Sequence, residues 1–301
     1  MGRELWAELL AVISLVELDF CDNPDVDLPT VLIVRCHVWS VIHERPTCWA
    51  CKTRNWDRLT RPRVLPSQST MSRRLRGPDF EAFMTELARR LHHLPQMGRL
   101  FKRLDAKALP VAAHSKDPDA GWGRGAGQMS NGYKLHAILD NGAMPLCWRI
   151  APLNISEQEM ARRMLRDLAS KDVPGVISAD ANYDVNLLYA QAAAADNRLI
   201  APRKKPGTGL GHRTHHQDRV RCLEMLEGPT STLGGMGPTS VANRPQIERD
   251  FGNLVSFGGG LQGLPSWARR HGRVRRWVWA KLMINAARIR LLKRHKSHDC
   301  A

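Results

Sequence analysis

Asp105, Asp180 and Glu248 stand apart from the other acidic residues, because each lies where a strand or helix would hold it rigidly, among apolar or basic neighbours. Asp105 follows Leu100-Phe101-Lys102-Arg103-Leu104, Asp180 closes the apolar run Val176-Ile177-Ser178-Ala179, and Glu248 follows Asn243-Arg244-Pro245 on a helix-forming stretch. Carboxylates are the preferred ligands of magnesium, a hard cation that keeps several waters and binds substrate phosphates. Two such ions about 4 Å apart activate a water and stabilise the leaving oxygen when a phosphodiester is cut. Taken singly, each acid also has an ordinary structural role: a strand-end Asp caps a turn, and a helical Glu pairs with a nearby Arg.

The elements that would position these acids alternate strand and helix from residue 98 onward. Tyr133 to Leu139 alternates like a strand, Asp140-Asn141-Gly142 makes a hairpin turn, and Met144 to Ile150 returns as an antiparallel partner. Ser156 and Glu159 form a capping box ahead of the apolar stripe Met160, Met164, Leu165 and Leu168. A strand over 176–179, a helix over about 184–195 and a strand over 198–201 follow. The pattern predicts a mixed α/β sheet with helices on its faces and Asp180 at the carboxyl end of a strand, where such sheets place ligands. Residues 203–240, rich in Gly, Pro and Thr, read as a mobile loop whose Arg203, Lys204, Lys205, His212 and Arg213 favour DNA. Helices over 245–257 and 267–294 close the chain. No acidic residue occurs from Arg269 to His298, so one face of the last helix is expected in the core and the other, Lys281 included, on phosphates.

A formal charge of +16 over 301 residues points to polyanionic partners. An anionic membrane would need an apolar stretch of roughly 18 residues or more. Leu9 to Val16 is bracketed by Glu8 and Glu17, and Val31 to Val34 stops at Arg35. The start also lacks the basic region and cleavage site of a signal peptide. A soluble, cytoplasmic, nucleoid-associated protein is therefore expected. The first 27 residues oppose the general sign, with seven acids against Arg3 alone. Their Leu5, Leu9, Ile13 and Val16 predict a helix packing on the protein itself or on a second subunit. From 58 to 97 the sign reverses. A short helix near Ser67 or Ser69, carrying Arg73 and Arg74, would read a groove as the second helix of a helix-turn-helix does, and Asp79 would cap a further helix over 80–94. This makes 1–97 a helical amino-terminal region and 98–296 a catalytic domain. Cys48 and Cys51 have metal-like spacing, and Cys36, His37 or His43 could complete a zinc shell. No second close pair follows, so reduced, buried thiols are the reading preferred.

Three blocks together resemble the bacterial insertion-sequence transposases of the DDE superfamily. Ile177-Ser178-Ala179-Asp180-Ala181-Asn182-Tyr183-Asp184 looks like that family's second-Asp motif, and Asn243 to Gly252 is similar to its Arg-x3-Glu signature. Leu104-Asp105-Ala106-Lys107-Ala108-Leu109 looks like its first-Asp strand. The resemblance covers about residues 98 to 290. It departs at Val241 and Val255, where the family has a Tyr three residues before the Arg and a Lys seven after the Glu. The interval from Asp180 to Glu248 also has no room for the large β insertion of some relatives.

The resemblance implies an RNase H-like fold, with Asp105, Asp180 and Glu248 as catalytic, metal-holding residues for two Mg2+ ions, Mn2+ being a substitute. It implies cleavage at element ends and strand transfer into target DNA, performed by a homodimer on terminal repeats. Arg244 would contact a phosphate near the scissile bond, and Lys107, Arg203, Lys204, Lys205 and Lys281 would position DNA by charge. Two other readings use the same residues: a repurposed transposase that binds DNA without cutting it, and an RNase H-like endonuclease without strand transfer. Arg244 lies one helical turn before Glu248, on the same face. A mere exposed pair would be worth about 0.3 to 0.5 kcal/mol. A phosphate clamp needs the flat bidentate guanidinium. Arg244→Lys is accordingly expected to keep the melting temperature and lower cleavage at least about tenfold, roughly 1.4 kcal/mol in the barrier. Unchanged single-turnover rates would leave Arg244 no part in the reaction.

Overall fold

The structure is a computed structural model and describes residues 3–92, 99–112, 114–125, 127–169, 174–205, 207–227, 249, 252–254, 260–261 and 263–298. In chain order the helices are α1 (Arg3–Asp19), α2 (Thr30–Ile42), α3 (Thr47–Ala50), α4 (Gln68–Arg74) and α5 (Pro78–Leu91), then α6 (Glu157–Ala169), α7 (Asn186–Ala193), α8 (Gln217–Glu227) and α9 (His271–His298). The strands are β1 (Phe101–Pro110), β2 (Gly121–Gly125), β3 (Gln128–Asp140), β4 (Pro145–Pro152), β5 (Gly175–Ala179) and β6 (Asn197–Ile200). No helix among the described residues is long and apolar enough to cross a membrane.

Two compact units divide the chain, one of Met1–His93, Leu254–Ala268 and Gly272–Ala301, the other of Leu94–Asn253 with Arg269–His271. This differs from a simple division at residue 97, because α9 belongs almost wholly to the unit of amino-terminal helices. Inside the first unit, α1 buries Leu5, Leu9, Val12, Ile13 and Val16, a stripe with helical spacing. The acids of the opening segment meet arginines of the same unit. Glu8, buried, pairs with Arg290 at 3.2 Å and Arg294 at 2.9 Å, and Asp19 pairs with Arg90. Ser67 caps α4 by accepting the Thr70 N–H at 3.1 Å. Asp79 does not cap α5: Gly77 holds that position, with Pro78 in the first turn, where its missing N–H costs nothing.

The second unit holds a six-stranded sheet ordered β2-β3-β1-β5-β6, with β4 also paired to β3. β1 runs antiparallel to β3 and parallel to β5, and β5 is parallel to β6. Leu104, Ile138, Cys147, Ile177 and Leu199 form an apolar cluster with Met164, Leu165 and Leu168 of α6, Leu188 and Tyr189 of α7, and Cys222 of α8. The expected hairpin is present, with the reversal over 140–143 completed by Ala143 at φ +61°. Two expectations need correction. β1 is longer than a strand ending before Asp105, and continues through that residue to Pro110. The span 203–240 is not uniformly irregular, since α8 lies within it, while residues 228–240 lie outside the described residues, as does nearly all of the helix expected over 245–257.

β2 was not foreseen, because Gly121-Trp122-Gly123-Arg124-Gly125 has no alternation of apolar and polar residues to mark a strand. Its glycines are steric necessities. A methyl group on Gly123 would collide with the backbone carbonyl of Leu153, and one on Gly125 would press on the Ala108 Cβ at 2.8 Å. Gly123→Ala should therefore cost about 1 to 3 kcal/mol of stability through forced backbone displacement. Trp122→Ala, at an exposed position of the same strand, should stay within about 0.5 kcal/mol. Urea denaturation of the two variants checks the contrast, and equal stabilities would dismiss the close-approach account.

Candidate functional site

The parallel pairing of β1 with β5 sets Leu104 opposite Ala179, which brings Asp105 and Asp180 to the next positions of two neighbouring strands. Such strands lie about 4.8 Å apart, within reach of one shared ligand. Both aspartates are half-buried. Asp180 leaves β5 into a single 3-10 turn, Ala181–Tyr183, and its carboxylate accepts the Asn182 N–H at 2.8 Å. The Asp105 carboxylate accepts the Ala106 N–H at 2.7 Å. The capping role foreseen for a strand-end Asp is therefore real, and it fixes the carboxylate where β5 delivers it.

Tyr183 ties the cluster together. It is fully buried, and its hydroxyl has no hydrogen-bond partner among the described residues. Burial, and then the charges of Glu157, Asp105 and Asp180, raise its pKa well above the ordinary tyrosine value. Three carboxylates thus converge electrostatically on one neutral phenol. Glu157, the first residue of α6, pairs with Lys134 of β3 at 2.6 Å. Neither was singled out from the sequence. The only available signal was two acids in the first turn of α6, and of these Glu159 was taken as the capping partner. In the structure the Glu159 carboxylate meets Arg162 and Arg163, each at 2.8 Å. Beside Lys134, His136 is fully buried with both ring nitrogens unpartnered, and burial, helped by the Lys134 charge, pulls it down to about 3, so it is neutral.

Asp184, the last residue of the second-Asp block, is buried and anchors the segment beyond β6. It accepts Arg219 of α8 at 2.7 and 2.9 Å and the Lys204 N–H at 3.1 Å. That backbone bond brings Lys204 and Lys205, both exposed, to the turn that follows Asp180. Arg203 of the same segment is held by Glu227 at 2.6 and 2.7 Å.

Other expected contacts fare differently. Glu248 and Arg244 lie outside the described residues. Lys107 is half-buried within β1. Arg73 is exposed at the end of α4, but Arg74 is turned inward, 12% exposed, donating to the Leu28 carbonyl at 2.7 Å and the Thr30 hydroxyl at 2.8 Å. Lys281 is 1% exposed, paired with Glu44 and 5.3 Å from the Trp277 ring. Both Arg74 and Lys281 serve the first unit's packing here, a correction to their expected place on DNA. Among the described residues no three His, Cys, Asp or Glu side chains stand where they could hold a metal ion. Cys48 and Cys51, for which a zinc shell was the less favoured reading, belong to no such group among the described residues. Burial pushes Cys51 up to about 11 and Cys36 up to about 12, while His43 packs against Trp39 and Trp49.

A mixed sheet flanked by helices, with Asp105 on β1 and Asp180 just past the end of the parallel strand β5, has an RNase H-like fold. The Transposase DDE domain family matches residues 104–283, more than half of the chain, and the chain belongs to that family. It is thus a transposase-family protein whose partner is DNA. No curated protein matches it. A solved piggyBac transposase synaptic complex with hairpin DNA is similar over 95% of this chain and 72% of that chain, at 8% identity and a TM-score of 0.45.

The Asp184–Arg219 pair makes a pH prediction. Burial works to raise the Asp184 pKa, but the Arg219 hydrogen bonds, the Lys204 N–H and the arginine charges outweigh it, and the net shift is downward. The pair therefore contributes stability that is present above the ordinary Asp value of 3.8 and is lost as pH falls through the lower folded value. Asp184→Asn leaves Arg219 partly buried without a counter-charge and is expected to cost about 3 to 5 kcal/mol at neutral pH. Its deficit should shrink in acid as the wild-type carboxylate protonates. Denaturation curves at several pH values measure both, and a pH-independent deficit would contradict the ion pair as its source.

Proposed function

We propose that this chain is a DNA transposase that cuts at the ends of an insertion sequence and joins the freed strand to target DNA. The observation that carries the reading is the register of β1 on β5, which makes neighbours of Asp105 and Asp180, 75 residues apart in sequence by their numbering. Two adjacent carboxylates are hard oxygen donors of the kind magnesium takes, so the residues present fit that ion. When bound, magnesium supplies Lewis-acid charge to the phosphate and activates an attacking water, and manganese can substitute.

The chain's own groups have separate duties in this reading. Asp105 and Asp180 hold the metal ions, and Glu248 completes the shell and orients the attacking water. Arg244 clamps a phosphate beside the scissile bond, and Lys204 and Lys205 draw the strand toward the Asp180 turn. Tyr183 walls the carboxylates off from the core, neutral at every physiological pH. A freed 3′-hydroxyl then attacks target DNA at the same carboxylates. The acting form is a homodimer on two terminal repeats, in the cytoplasm at the nucleoid. Val241 and Val255, where the family carries Tyr and Lys, favour one second reading: a protein that still grips DNA but no longer cuts it.

Incubation with magnesium and a duplex carrying the ends that flank its own gene tests this. Wild-type protein should give nicked and end-joined products. Asp105→Ala, Asp180→Ala and Glu248→Ala should each lose cleavage while DNA binding stays within a few-fold, because no neighbour replaces a lost carboxylate. Normal cleavage by Asp180→Ala would refute the site. Binding without cleavage by the wild type would favour the second reading, and cleavage without joining would leave a nuclease only.

A further inference from the structure

A cavity of about 460 Å³ opens beside the turn that follows Asp180. Its floor is Ala106 and Ala108, alternate residues of β1 that strand geometry places on one face, and their methyl groups leave the space above them empty. Asn182, from the turn after Asp180, forms one wall. Lys134 stands opposite Ala108 on β3 and reaches across to Glu157, and Arg124 comes from the glycine-rich strand β2. Arg124 is exposed and makes no hydrogen bond or ion pair with any described residue. Lys134 is buried and the Glu157 side chain is 24% accessible, so this ammonium needs an anionic partner at the cavity wall, either the carboxylate or an acceptor that takes its place.

We propose that this cavity seats a phosphate of the DNA strand beside the turn that follows Asp180, with Arg124 and Lys134 as its cations and Glu157 holding Lys134 until the strand arrives. The inference rests on the reading of this chain as a DNA-acting enzyme, and names two positioning residues for it. The charges argue for an anion: of the charged side chains that line the cavity, Arg124 and Lys134 are cations on strands fixed by the sheet, and Glu157 is the acid that one of them already holds. The floor argues for backbone rather than base, because methyl groups and glycines offer no ring on which a base could stack. Glu157 explains why a lysine with so little exposure is stable without DNA. Its carboxylate accepts the ammonium proton that a phosphate oxygen would accept in the complex.

Binding of a short fluorescent duplex of arbitrary sequence, without divalent metal and over a series of potassium chloride concentrations, tests the proposal. Each lost phosphate contact should flatten the plot of log K against log salt by about 0.9. Arg124→Gln and Lys134→Gln should each do so, and Lys134→Arg should restore the slope. Glu157→Gln frees Lys134 and should tighten binding several-fold more than Glu159→Gln, which removes the same charge two residues along the same helix. Unchanged slopes in both cation variants, or equal effects of the two glutamate variants, would overturn the phosphate seat. Should Lys134→Gln fail to fold, as judged by its melting curve, Arg124→Gln decides, since that side chain is exposed. The readout needs no cleavage. Unchanged slopes in the cation variants beside normal strand joining would sink the cavity alone, whereas the expected slopes with no cleavage would sink the enzymatic reading and leave the seat.

Discussion

The whole site depends on the register of two parallel strands. Leu104 opposite Ala179 means that the next step along β1 and the next step out of β5 each deliver an aspartate to the same place. A slip of one residue would send each side chain to the other face of its strand and separate the two carboxylates. The register is held by burial: Leu104, Ile177 and Ala179 belong to the apolar cluster that α6 and α7 close over, so a slip would expose that cluster. The same packing sets Tyr183 beneath the acids, where burial keeps its hydroxyl protonated.

Charge in this chain has two separate uses. The strongly basic composition suggests DNA everywhere, yet many arginines answer acids of their own unit. Glu8 takes Arg290 and Arg294, Asp19 takes Arg90, Glu44 takes Lys281, and Asp184 takes Arg219. The acidic opening helix, opposite in sign to the rest of the sequence, makes sense as the counter-charge of α5 and α9. Among the exposed cations of the second unit, Arg124, Lys204 and Lys205 lie on segments tied to the turn that follows Asp180. Net charge reports partners and says little about which cations meet them.

Short-range steric constraints complete the arrangement. β2 can lie against the Leu153–Asn154 connection only because alternate positions are glycine, and that close approach brings Arg124 to the rim of the cavity. Ala106 and Ala108 do the same from below by being small. Asp184 works at longer range: one buried carboxylate, four residues after Asp180, fixes both the backbone of Lys204 and the guanidinium of α8.

Much of this was legible without coordinates. The hairpin, the helix after it and the strand ending at Asp180 follow from local signals, namely alternation, turn residues and caps, each of which acts over a few neighbouring residues, whereas the joining of Asp105 with Asp180 in one site was implied by the family resemblance. Asp105 was placed just after a strand rather than within one, because Asp105, Ala106, Lys107 and Ala108 are all residues that strands disfavour. β2 escaped notice since three glycines give no pattern, and α8 because its polar surroundings hid a short helix. Glu157 and Lys134, 23 positions apart by their numbering, could not be joined by inspection. The placement of α9 with the amino-terminal helices, and the inward turn of Arg74 and Lys281, likewise depend on partners far away in sequence. The sequence by itself determined which residues could do chemistry and which elements carry them. Only the tertiary structure decided which cations face DNA and which are neutralised within the fold, because that choice depends on the low-dielectric neighbours and counter-charges that packing brings together, and no local pattern encodes them.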